Sequence, residues 1–277
     1  MNLWLPFALA AVLIWSIQRV VTKAALVRWS TARFYRLNAI LSLAVYVPFA
    51  LFRPPDPSGL AGALALSLLM AATFWVTTEA TRRGPVGIVA PLTALSPAIT
   101  VMLAVGFLRE PISPRLASAI VLALIAATLL AYRPVTVRSI SGWLALALAS
   151  LGMQGVGAFI AKVVVTGPGP TDLLLTSSMV QVAVGAVLAR GEPFDVRGTF
   201  RGSGIITVAT LVAASLATIG YLTALSLGPA SVIVPLVATS PSLGGLLGIL
   251  VLREQADRRQ FIGIAFGLVA AVLLATS

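Results

Sequence analysis

A glutamate placed three and four residues before two arginines can pair with them along a helix, or it can hold a proton or a substrate ammonium. Glu79, ahead of Arg82 and Arg83, is the acid nearest the interior of an apolar segment in this chain. The other acids are Asp56, Glu110, Asp172, Glu192, Asp195, Glu254 and Asp257, all between apolar runs or at their ends. Lys23, Lys162 and Arg19 are the cations closest to such interiors. Each could snorkel to a polar boundary or attract a carboxylate. Histidine and cysteine are both absent, which removes the commonest proton shuttle, thiolate chemistry and cysteine metal sites. An enzyme needs an acid, base, nucleophile or metal ligands converging on one pocket, and no such set is visible. Neither a metal nor a cofactor is expected.

Prolines carry a second kind of chemistry. Pro91, Pro97, Pro235 and Pro241 each sit inside an apolar run. A proline there bends the helix and leaves the carbonyl four residues earlier without its donor, which frees Gly87, Thr93, Ser231 and Val237. In lipid those carbonyls need a cavity water, a hydroxyl or a substrate ammonium.

The elements that hold these residues follow from composition. Of 277 residues, 59% are hydrophobic and 10% charged, with a mean hydropathy of +1.03. Soluble domains run at roughly a quarter charged residues, so this chain belongs in a membrane. A spanning helix takes about 20 apolar residues. Ten runs of that kind lie near 3–27, 34–52, 59–81, 87–108, 114–132, 141–164, 171–189, 203–226, 230–252 and 259–276. Arg53-Pro54-Pro55-Asp56-Pro57, Gly84-Pro85, Gly167-Pro168-Gly169-Pro170 and Gly228-Pro229 punctuate them. Strands are not expected, because open sheet edges cannot face lipid and the runs lack a barrel's alternating pattern.

The net charge of +11 could indicate nucleic acid, but the cations are scattered through short connections, where membrane orientation accounts for them. On the face that holds both chain ends stand Arg53, Arg109, Arg115 and Lys162; fourteen other cations, with Arg19 besides, lie toward the opposite face. The positive-inside rule then predicts both termini outside.

Residues 84–131 align without gaps on 228–275 at an offset of 144. Gly84/Gly228, Pro85/Pro229, Pro91/Pro235, Ser96/Ser240, Pro97/Pro241 and Leu108-Arg109-Glu110/Leu252-Arg253-Glu254 all coincide. Biased composition explains shared Leu and Ala, not prolines and an Arg-Glu pair in register. A weaker match at an offset of 139 pairs Trp4 with Trp143 and Lys23 with Lys162. The predicted fold is an all-α membrane protein, ten transmembrane helices as two inverted five-helix repeats around a central cavity, residues 1–138 and 139–277. Five is odd, so the second copy enters the bilayer upside down, the architecture of secondary transporters. Gly244, Gly245 and Gly248 are predicted to pack the ninth span on Thr100 and Ala104 of the fourth.

Ten spans in two halves, each with a Gly-Pro…Pro…Ser-Pro…Leu-Arg-Glu block, resemble the EamA-type permeases of the drug/metabolite transporter superfamily. The resemblance implies a cavity ringed by the first, third, fourth, sixth, eighth and ninth spans. It implies export of amino acids or other small metabolites from a bacterial inner membrane. It also implies termini in the cytoplasm, against the charge count. The small multidrug branch keeps a glutamate in its first helix, where this chain reads Leu13-Ile14-Trp15-Ser16-Ile17-Gln18.

On spans implied to line the cavity stand Trp15, Gln18, Trp75, Thr78, Glu79, Ser96, Gln154, Thr218, Tyr221 and Ser240. Aromatic surfaces with a few amides and hydroxyls suit small ligands bearing an apolar side chain, although each could face lipid instead. The expected function is export of small neutral metabolites, amino acids above all, by a monomeric facilitator or exchanger working by alternating access. The expected partners are a small-molecule substrate and the bilayer, with no nucleic acid. A drug or nucleotide-sugar carrier is the alternative within transport, and a membrane enzyme or assembly factor the alternative outside it.

Overall fold

The computed structural model of the chain describes residues 3–26, 29–84, 86–132, 142–167, 169–191, 199, 201–252 and 256–276. Pro85, Pro168, Glu192, Asp195, Arg253, Glu254 and the 138/139 boundary lie outside them, as do the side chains of Arg19, Lys23 and Arg82. Without water to satisfy backbone groups, an apolar chain in lipid must bond its own amides, and the described residues are built of helices. The first half holds α1 (Trp4–Leu26), α2 (Thr31–Phe52), α3 (Leu60–Arg83), α4 (Val86–Thr93), α5 (Ser96–Leu108) and α6 (Pro114–Ala131). The second holds α7 (Trp143–Thr166), α8 (Thr171–Leu188), α9 (Ser203–Leu227), α10 (Ala230–Val237), α11 (Ser240–Leu252) and α12 (Arg258–Ala275). Ten segments are long and apolar enough to cross a bilayer, α4 with α5 and α10 with α11 each making one.

Local chemistry sets the ends. Ser30 and Ser113 cap α2 and α6 by accepting from the amides of Arg33 and Leu116. Asp257, the repeat equivalent of Ser113, caps α12 in a reciprocal box with Gln260. The broken spans follow their prolines. α4 stops at Thr93 and α5 restarts at Ser96, with Pro97 in its first turn; α10 stops at Val237 and α11 restarts at Ser240, with Pro241 next. Threonine hydroxyls satisfy carbonyls beside both breaks. Thr93 Oγ1 donates to the Val89 and Ala90 oxygens, and Thr239 Oγ1 to Leu236 O. Pro97 and Pro241 therefore stand at breaks in these spans, while Pro91 and Pro235 lie within α4 and α10.

Packing obeys exchange of the halves. α1 lies on α9 as α7 lies on α3; α1 on α11 as α7 on α5; α2 on α9 as α8 on α3; and α2 with α8 and α6 with α12 pair with their own equivalents. Trp4 covers Gly228, where a Cβ would sit 2.4 Å from the indole ring, and Trp143 covers Gly84, where it would sit 2.8 Å away. Equivalent residues thus make the same contact at opposite faces, which makes the two five-helix repeats inverted.

One pairing differs from expectation. α11 packs on α1, α12 and α6, and Gly245 lies against Ile264 of α12 rather than against α5. Thr100 instead donates to Gly155 O of α7 at 2.9 Å. The two-fold relation seats each broken span on the first span of the other half. The close approach is therefore at Gly155, where a Cβ would be 2.7 Å from Ser96 O, and at its equivalent Ser16, whose Oγ donates to Ser240 O at 3.0 Å.

The halves are not identical in depth. The span 230–250 is 61% buried, against 33% for 88–108. Every residue of α10 is buried, and α10 reaches α5, α6 and α7 in addition to α1 and α12. α4 packs on α7, α6 and α3, with at most slight contact to α11 or α12.

Candidate functional site

Asn38, Ser42 and Tyr46 recur every four residues along α2, so they share one helical face, and Ser177 and Gln181 do the same on α8. Those faces meet Trp15 and Gln18 of α1 and Ala214, Ser215 and Thr218 of α9 around a cavity of about 150 Å³. Nine of these ten side chains can hydrogen-bond, and none carries a charge. Ser42 and Ser215 hydroxyls share a bond of 3.0 Å, with the Tyr46 hydroxyl among Ser42, Ser215 and Thr218. The Trp15 indole N–H points to Ala214 O at 3.4 Å, and its ring tilts against Tyr221 with centroids 5.4 Å apart.

A second, larger hollow of about 680 Å³ runs along α3, lined by Met70, Thr73, Phe74, Thr77, Thr78 and Thr81, with Gln154 of α7. Gln154 Nε2 donates to Ser150 Oγ at 2.9 Å and reaches Thr77 Oγ1 at 3.5 Å, and Thr77 and Ser150 hydroxyls bond at 2.5 Å. The two hollows are repeat-related. Gln154 stands at the equivalent of Trp15, and Met70, Phe74 and Thr77 at the equivalents of Ala214, Thr218 and Tyr221. One copy uses an indole and a phenol where the other uses an amide and a hydroxyl. Ligand sites of about 300–1,000 Å³ are typical; the groove falls within that range and the chamber below it.

Of the residues singled out in the sequence, the chamber gathers Trp15, Gln18 and Thr218, with Tyr221 behind Trp15. The groove gathers Thr78 and Gln154. Ser240 is 2% exposed, its carbonyl taken by Ser16, and half-buried Ser96 lies against Gly155. Trp75 is 64% exposed and lines neither hollow. Glu79 accepts from Arg83 Nε in a local i,i+4 pair. Pro91, Pro97 and Pro235 are buried at or beside the breaks, and Pro241 is half-buried.

Asn38, Ser42, Tyr46, Ser177 and Gln181 were missed because the second and seventh spans were not among those implied to line the cavity. Their signal is polar residues at four-residue spacing inside apolar runs. Asp172 was read as a span-end acid, yet it is fully buried. Its Oδ2 accepts from the Asp56 amide at 3.1 Å, while Oδ1 has no hydrogen-bond partner. Asp56 lies exposed in the α2–α3 connection, and the Ser58 backbone amide, with the Ser58 side chain, holds its carboxyl below the usual value of 3.8. Among the described residues, no three acids, histidines or cysteines stand together as metal ligands would.

The model of the EamA-like transporter family matches residues 2–132 and again 140–276, once for each repeat. The chain belongs to the EamA-like transporter family. It is thus a multi-pass membrane protein of the drug/metabolite transporter superfamily, whose members are transporters. A crystal structure described simply as that of a protein is similar in fold, with a TM-score of 0.76 and 16% identity, covering 98% of this chain and 95% of the other. None of the curated proteins matches this chain. In this EamA-like transporter the chamber and groove both lie between helices of the two repeats.

Proposed function

We propose that this transporter exports small neutral or zwitterionic metabolites, amino acids above all, by alternating access as a facilitator or exchanger. The observation that carries this reading is the uncharged chamber: amides and hydroxyls of α1, α2, α8 and α9 around the Trp15–Tyr221 aromatic pair. Such a lining replaces the hydration of a polar solute without imposing a net charge. The aromatic surface adds apolar contact for a side chain. A nucleotide sugar would need several cations facing its phosphates, and no charged side chain lines either hollow.

The breaks at Pro97 and Pro241 give both broken spans a place to flex as the halves rock. We further propose a monomer in a bacterial inner membrane, its termini outside as the cation bias directs. Counterflow into proteoliposomes with a panel of labelled amino acids tests the function. Accumulation of at least one apolar or aromatic amino acid against unlabelled internal substrate is expected. No counterflow with any amino acid, alongside counterflow of a charged drug or a nucleotide sugar, would replace the reading with the alternative carrier.

A further inference from the structure

At the face bearing the chain ends, two charged side chains hold the turn between α9 and α10. Glu110, just past the end of α5, accepts from the amides of Ala230 at 2.9 Å and Ser231 at 2.7 Å. It thereby caps the N-terminus of α10, where the helix dipole favours a carboxylate. Lys162, near the end of α7, donates from Nζ to Leu225 O at 2.6 Å and Gly228 O at 2.8 Å, the carbonyls that end α9. Neither partner is local. Glu110 reaches across from the other repeat, and Lys162 spans more than sixty residues of sequence.

The half-helix held in this way is the more deeply packed of the two equivalents. The clamped α10 is buried along its whole length and wedged against α5, α6 and α7, whereas α4 is packed less extensively. In an inverted-repeat carrier, unequal packing of equivalent elements marks one state of a two-state cycle.

We infer that Glu110 and Lys162 form a latch that keeps the terminus-bearing face shut in this conformation, and that the latch releases when that face opens during transport. They are positioning residues: they touch no hollow, and they act through α10. The inference rests on the transport reading, but its test does not depend on knowing the substrate. Local helix capping alone would give the same hydrogen bonds, so the readout must be access to one face.

The chain has no cysteine, so a single thiol can report that access. Ser231 is 1% exposed and its Oγ makes no hydrogen bond, which makes Ser231→Cys a suitable probe within the clamped helix. The S231C protein in lipid nanodiscs is labelled with a membrane-impermeant maleimide. Slow labelling is expected for S231C alone, and labelling about tenfold faster when Glu110→Gln or Lys162→Met is added, as expected when a latch is lost from a two-state equilibrium. K162R, which keeps the charge and the donors, should label slowly. Asp257→Ala removes an ordinary helix cap elsewhere, that of α12, and should leave the rate unchanged.

Equal rates in S231C with and without the latch substitutions overturn the inference. So does an acceleration by D257A as large as that by E110Q, which would mean general loosening. If E110Q fails to fold, K162M decides alone. Absence of counterflow by the parent protein would instead defeat the transport reading, leaving the labelling result to judge the latch separately.

Discussion

The indole of Trp4 lies against Gly228, so close that a Cβ on the glycine would stand 2.4 Å from the ring atoms Cγ and Cδ1. The repeat equivalents, Trp143 and Gly84, meet in the same way at the other face of the bundle. Trp4 and Trp143 are each 5% exposed. A rigid ring on one half and a bare backbone on the other thereby lock the first span of each repeat to the third span of its partner.

Gly228→Ala should accordingly destabilise the protein by about 1–3 kcal/mol, the usual cost of overpacking, since an indole ring cannot swing its near edge away. Gly106→Ala is the control, with nothing within 4 Å of its Cβ position. Thermal unfolding in detergent should show a lower midpoint for G228A and no drop for G106A. Matching midpoints for the two variants would mean that the close approach relaxes freely.

Substituting two tryptophans distinguishes a chamber site from one on the outer surface. Trp15→Ala removes the partner of Tyr221 from the chamber wall and should cut counterflow by about tenfold, in line with loss of an aromatic contact at a small-ligand site. Trp75→Ala strips a side chain that is 64% exposed and should leave the rate within about twofold. The reverse order of effects, measured with the same labelled amino acid, would move the site to the outer wall.

Pro97→Ala returns an amide that could bond Thr93 O and fuse α4 with α5 into one helix; Pro241→Ala does the same for α10 and α11. If these breaks are hinges, the maximal counterflow rate should fall several-fold while the half-saturating concentration changes less. A change confined to half-saturation would assign the prolines to binding instead.

Neither hollow is lined by an acid, and the chain has no histidine. Counterflow should therefore persist when an ionophore collapses the proton gradient and the substrate gradient is held constant. Arrest of transport under those conditions would reveal proton coupling through a group outside the chamber.

The lowered Asp56 carboxyl gives one pH prediction. A depressed folded-state value stabilises the fold above the unfolded value near 3.8 and loses that contribution as pH falls through the folded value. Stability linked to Asp56 should be flat through the neutral range and decline only in strong acid. Asp56→Asn should remove that part of the acid decline in a pH series of thermal midpoints; an effect of D56N confined to neutral pH would contradict it.

Much of this architecture is legible in the residue order because it depends on short-range physics. A lipid solvent demands runs of about 20 apolar residues, and prolines break helices wherever they fall. The Gly-Pro…Ser-Pro…Leu-Arg-Glu block repeated at one offset already required two inverted copies, and the ten spans lie close to where the apolar runs place them. The side chains facing the chamber were a different matter. A hydroxyl at Ser42 or Ser177 reads the same whether it bonds its own helix or lines a hollow, because the difference lies in which neighbour the helix turns toward. Nor could Glu110 be told from an ordinary helix-end charge, since its partners, the amides of Ala230 and Ser231, lie about 120 residues away. Spans and symmetry come from periodicity along the chain. The rotation of each helix, and with it the chamber and the latch, arises from packing between segments far apart in sequence.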